Sequence, residues 1–168
     1  MRVAPNAVIA ATIPVEFLSP KRWAARRRCR RETVTSFADL QRFMLTLPET
    51  SSTPSYGGAP ALRVNKKMFA RLRGEMADDL DPLTGAPYGE VLMVGVADLG
   101  EKEALLASDE RAYFTVSYYD GYPAVLVRLA FADETELREL LVEAWMRTAP
   151  KRALKAYRDS IGPLPGEA

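Results

Sequence analysis

Five cations with no acid among them form the pattern in this sequence best suited to chemistry. Arg63, Lys66, Lys67, Arg71 and Arg73 fall close together, and no Asp or Glu lies between positions 62 and 74. Guanidinium and ammonium groups gathered in this way neutralise phosphates and release their counterions. Strand alternation places Lys67, Arg71 and Arg73 on one face beside Phe69. A basic hairpin face of this kind has the dimensions to lie along a DNA backbone or groove. The same charges also suit a solvated edge hairpin, blunted against aggregation. A two-residue turn at Asn65-Lys66 pairs Leu62 and Val64 with Phe69 and Lys67, so core and solvent sides do not separate cleanly.

A second basic group follows at Arg147, Lys151, Arg152, Lys155 and Arg158. Cations near helix ends also stabilise the helix dipole, so part of this group has a structural reading. The expected phosphate-contacting set is Arg63, Lys66, Lys67, Arg71 and Arg73 on the hairpin, with Lys151, Arg152 and Lys155 on the C-terminal segment. Four tyrosines, Tyr113, Tyr118, Tyr119 and Tyr122, surround one turn. They suit a stacking surface or, as favoured strand residues, ordinary packing.

Other chemistry is poorly served. The sequence contains no histidine, which removes Ser-His-Asp and Cys-His catalysis and the usual zinc sites with imidazole ligands. The single cysteine, Cys29, allows no intrachain disulfide. It lies among arginines that lower a thiol pKa, but no partner base accompanies it. Glu75, Asp78, Asp79 and Asp81 carry charge for a hard cation without the spacing of a calcium loop, so they read as a solvated loop. Gly57-Gly58 and Gly121 lack the flanks of a phosphate loop. The expectation is a non-enzymatic protein with no cofactor and no metal.

These groups need elements to hold them. Ser36 caps a helix with Asp39 three residues on, and Phe37, Leu40, Phe43, Met44 and Leu47 recur at helical spacing until Pro48. Residues 50–60, rich in Ser, Thr, Pro and Gly, read as a loop. Residues 61–64 and 67–73 read as two short strands, residues 75–88 as another loop, and 90–96 as a strand buried on both faces. Asp98 caps a helix through Ala107, and strands follow at 112–118 and 123–131. Asp133 caps the most regular helix, with Leu137, Leu140, Leu141, Ala144, Trp145 and Thr148 on one face. Pro150 ends it, and a short basic helix runs from Lys151 to about Arg158. Tight turns between successive strands imply antiparallel pairing. The expected class is α+β, a two-layer sandwich with an antiparallel sheet of about five strands and helices on one face.

Charge is segregated along the chain. Residues 1–32 hold eight basic and two acidic groups, a net of +6, whereas the remainder holds fifteen basic and twenty acidic groups, a net of −5. The first 32 residues therefore read as a disordered basic arm or as an over-long reading frame, residues 33–158 as the folded domain, and 159–168 as a flexible tail. The run from Ala7 to Leu18 is too short and interrupted for a membrane span, and its basic residues follow rather than lead, unlike a secretory signal. The expected location is cytoplasmic.

Three stretches in order carry a resemblance: LPETSSTPSYGGAPALRVNKKMFARL (47–72), GYPAVLVRL (121–129) and AWMRTAPKRALKAY (144–157). Together they resemble the MmcQ/YjbR family of small bacterial proteins, from about Ser36 to Tyr157. The resemblance implies a CyaY-like, frataxin-like sandwich and DNA binding through a double-wing arrangement. This sequence has Ala124 after Pro123, where a large aromatic is frequent in the family, and it lacks the histidine that some branches carry with Trp near the GYP segment. The alternative to DNA binding is a frataxin-like protein- or metal-interaction module that works through acidic surface.

Overall fold

In the computed structural model, residues 35–73 and 80–161 are described. The basic arm, Cys29, the acidic residues Glu75, Asp78 and Asp79, and the end of the tail lie outside them. The chain forms α1 (Phe37–Met44), β1 (Thr50–Pro54), β2 (Pro60–Val64), β3 (Lys67–Leu72), β4 (Val91–Gly95), α2 (Leu99–Ser108), β5 (Tyr113–Phe114), β6 (Ala124–Arg128), α3 (Glu134–Thr148) and α4 (Lys151–Ile161). The class is α+β, as expected. The sheet is open and antiparallel in the order β1-β2-β3-β4-β6-β5, with six strands rather than five.

The additional strand is β1, which lies in the segment expected to be a loop. Its sequence TSSTP has no apolar period, because it is an edge strand with mostly polar, partly exposed side chains. Backbone pairing with β2, from Thr50 with Val64 to Pro54 with Pro60, holds it in place, and Pro54 closes it where no ladder donor is needed. A strand expected over 112–118 shortens to Tyr113–Phe114. The chain then makes a single 3₁₀ turn at Ser117–Tyr119, which buries the Tyr119 ring. Helix α4 continues to Ile161, beyond the expected end.

Three of the helix starts follow a side-chain cap. The side chains of Ser36, Asp98 and Asp133 accept hydrogen bonds from the amides of Asp39, Glu101 and Glu136. All four helices contribute to the core on one face of the sheet: Leu40 and Met44 from α1, Leu105 from α2, Leu137, Leu140, Leu141 and Trp145 from α3, and Ala153 from α4. Strand β4 is buried on both sides, with Leu92 and Val94 toward the helices and Val91 and Met93 in a second cluster with Tyr119, Ala124 and Leu126.

This outer cluster is covered by loops rather than helices, and a buried ion pair fastens one of them. Arg128 projects outward from β6. Its Nε and Nη2 reach Asp81 Oδ2 and Oδ1 at 2.5 and 2.8 Å, and both side chains are buried. The Arg128 guanidinium also donates to the Arg111 carbonyl at 3.0 Å and lies 4.0 Å from the Phe114 ring centroid. Asp81 accepts in addition from the Leu83 amide, at 2.9 Å. Asp81 therefore belongs to no solvated acidic loop; it is the counterion of a buried arginine. Its hydrogen bonds with Arg128 hold its carboxyl below the ordinary value.

Removing one member of a buried pair strands the other charge. Asp81→Ala is expected to destabilise the fold by about 3 kcal/mol in urea denaturation. Because the folded pKa is depressed, the contribution of Asp81 is complete above its unfolded value. It should be lost as pH falls through the lower folded value, so the gap between wild type and variant closes at strongly acidic pH.

Candidate nucleic-acid interface

The β2–β3 turn is a two-residue reversal with Asn65 and Lys66 at φ 48° and 66°. Both lie in the left-handed region that two-residue hairpins with the matching twist require. Val64 pairs with Lys67 and Arg63 with Met68, but Leu62 pairs with Ala70, so Phe69 is an extra residue in β3. This β-bulge turns Phe69 and Ala70 both into the helix-side core. It also separates the hairpin cations. Lys67 shares the helix-side face with Val64, at the exposed tip, whereas Arg71 pairs with Ala61 and Met93 on the outer face. The expectation that Lys67, Arg71 and Arg73 share one face beside Phe69 is therefore corrected, because the bulge shifts the alternation by one.

The outer-face arginines are engaged. Arg71 Nη2 donates to the Tyr119 hydroxyl at 2.8 Å, the Arg73 guanidinium lies 5.5 Å from the Tyr88 ring centroid, and Arg63 Nε donates to Thr53 Oγ1 at 3.0 Å. At the tip, the Lys66 and Lys67 side chains are exposed and have no ion pair among the described residues.

The second basic group joins this tip through a link absent from the expectation. Glu49, which leads into β1 with φ 56°, is held by both nitrogens of the Arg152 fork, Nε to Oε1 at 2.6 Å and Nη2 to Oε2 at 2.7 Å. That hydrogen bonding lowers the Glu49 carboxyl and raises the Arg152 guanidinium. Thr50 pairs with Val64, and Val64 with Lys67, so the start of α4 is tied to the end of the sheet that carries the hairpin tip. Lys151 is exposed there without an ion pair among the described residues, and Lys155, one turn on, pairs with Asp159 at 2.7 Å. Of the eight expected residues, Lys66, Lys67, Lys151 and Arg152 gather at one end, Lys155 continues along α4, and Arg63, Arg71 and Arg73 decorate the outer face.

The same end of the sheet holds a carboxylate seam between α2 and α3. Arg147 donates to the Gly95 carbonyl at 2.9 Å and lies 3.6 Å from Glu101, and Glu101 accepts from the Ala97 amide. Burial, and then the neighbouring Glu101 charge, push the Glu143 carboxyl up to about 7, against the pull of Arg147 and with a smaller push from Glu139.

Comparison with known proteins places this geometry in a family. The family model described as YjbR matches residues 45–147. Uncharacterised proteins of Mycobacterium tuberculosis and Mycobacterium bovis are 37% identical over 133 residues, which span 77% of this chain and 100% of theirs. The crystal structure of a Deinococcus radiodurans protein with a DUF419 domain superposes with a TM-score of 0.53 at 20% identity, over 82% of this chain and 95% of that one. This last likeness is one of fold.

Two measurements follow from the tip and the seam. Lys66→Gly relieves the left-handed strain, about 1 kcal/mol, and loosens the unfolded chain by about half that. A net gain near 0.5 kcal/mol is expected in urea denaturation, together with weaker polyanion binding. Glu143 titrates higher folded than unfolded, so its ionisation opposes folding. The favourable contribution of Glu143 is complete below the unfolded value near 4.5 and is lost as pH rises through about 7. Glu143→Gln should flatten that fall and stabilise the protein by about 1 kcal/mol near pH 8, a figure reduced for its partial exposure.

Proposed function

The chain belongs to the YjbR family, and from that premise we propose that it is a non-catalytic DNA-binding protein whose β2–β3 tip and α4 start contact the phosphate backbone. The observation that carries this reading is the set of three exposed lysines, Lys66, Lys67 and Lys151, without ion pairs among the described residues. They lie at one end of the sheet, which the Glu49–Arg152 pair ties together. Residues 33–168 carry a net charge of −5, so phosphate is attracted only where positive charge is gathered locally. Arg63, Arg71 and Arg73 flank the contact from the outer face. The absence of histidine supports the non-catalytic part of the reading. Among the described residues no helix is long and apolar enough to cross a membrane.

Three lysine–phosphate contacts give a slope of log K against log salt near −3 from this end of the sheet. In the full chain the N-terminal arginines add their own slope, which cancels between wild type and a variant. Lys66→Ala with Lys67→Ala is expected to weaken duplex binding and to reduce the slope by about 2, measured by anisotropy of a labelled duplex across a salt series. An unchanged slope would overturn the assignment of the interface. Binding of a protein or metal partner through acidic surface, with no DNA binding at low salt, would favour the interaction-module alternative.

A further inference from the structure

The four tyrosines around one turn separate by burial. Tyr113 and Tyr119 are buried, whereas Tyr118 is 81% exposed and Tyr122 is 66% exposed. Their backbone is held firmly despite that exposure. Lys102, only 5% exposed, donates its Nζ to the Tyr119 carbonyl at 2.5 Å and to the Tyr122 carbonyl at 3.2 Å. Arg71 fixes the Tyr119 hydroxyl, and the Tyr118 ring meets the Tyr119 ring edge-on, with centroids 5.1 Å apart. Spending a buried ammonium on two carbonyls of a short turn leaves two aromatic rings standing in water on a fixed base. A turn held in this way loses little backbone freedom when a ligand covers it.

Position adds a charge. Gly95 pairs with Ala124 across β4 and β6, and Val94 with Ala70 across β3 and β4. The backbone leading into β6 and the hairpin tip that carries Lys66 and Lys67 thus lie at one end of the sheet, about two strand spacings or roughly 10 Å apart. Exposed aromatic faces beside cations without ion pairs among the described residues complement a strand whose bases are free to stack while its phosphates meet the lysines. A duplex offers phosphates but hides its base faces.

We propose that Tyr118 and Tyr122 form a stacking platform for unpaired bases, so that the ligand class is single-stranded nucleic acid threading from the tyrosines to the β2–β3 tip. The proposal rests on the nucleic-acid reading above and narrows it.

Anisotropy titrations of the full chain with labelled oligo-dT and oligo-U of about 15 nucleotides, and with a duplex of equal length, test it. Either single strand is expected to bind more tightly than the duplex. Tyr118→Ala with Tyr122→Ala should weaken single-strand binding by about tenfold or more, leaving duplex affinity and melting temperature unchanged. Tyr118→Phe with Tyr122→Phe should retain binding, because stacking needs the ring and not the hydroxyl. A preference for oligo-dT keeps the DNA reading, whereas a preference for oligo-U keeps the platform and replaces DNA with RNA as its ligand. Equal losses on single strand and duplex, or no loss on the single strand, would overturn it. Duplex binding that depends on Lys66 and Lys67 while both tyrosines prove silent would remove the platform alone. Failure of every polynucleotide to bind would remove both readings.

Discussion

One additional residue in β3 governs how this domain presents its charge. With Leu62 opposite Ala70 and Arg63 opposite Met68, Phe69 has no partner of its own and enters the helix-side core with Ala70. Burying that ring is worth roughly 1.5–3 kcal/mol, enough to hold the bulge against the lost regularity of the ladder. Everything beyond it changes face. Lys67 stays at the tip on the helix side, near the start of α4, and Arg71 turns outward to the Tyr119 hydroxyl. Without the bulge, Lys67, Arg71 and Arg73 would share one face.

The outer face depends on a small number of cations used as anchors. Arg128 holds Asp81 and, through it, the loop that brings Tyr88 against Phe114 with ring centroids 5.4 Å apart. Lys102 and Arg71 hold the segment that carries Tyr119. Loops have little apolar surface with which to bind themselves to a sheet, and charged hydrogen bonds in a partly dry setting do that work. The helix-covered face needs no such anchors, because apolar side chains from the helices, led by the Leu residues and Trp145 of α3, fill it. The basic tip and the exposed tyrosines are thus fixed from two directions, by the core behind the tip and by buried cations under the turn.

Much of the helical architecture was legible in the sequence, because caps and breakers are local. Ser36, Asp98 and Asp133 start their helices as their spacing implies, and α3 gives way to α4 at Pro150. The central strand β4 was equally plain from its unbroken apolar run. Strand β1 was not, because Ser and Thr on an edge carry no period, and only the partner strand reveals it. The turn at Asn65-Lys66 was readable, but the faces beyond it were not, since a bulge is decided by how Phe69 packs. Arg128 did leave a sign, a lone cation inside the apolar run PAVLVRLAF; such a residue implies a buried counterion, here Asp81. The link between Glu49 and Arg152 spans 103 positions, and no local pattern encodes it.

The most direct test of the interface follows backbone amide shifts by NMR as a polynucleotide is titrated into the protein. The predicted result is a contiguous set of perturbations at Asn65–Met68, Lys151–Arg152 and Tyr118–Tyr122, which share one end of the domain. Perturbations confined to residues 1–32, or lying along β5 and the exposed face of α2, would contradict it.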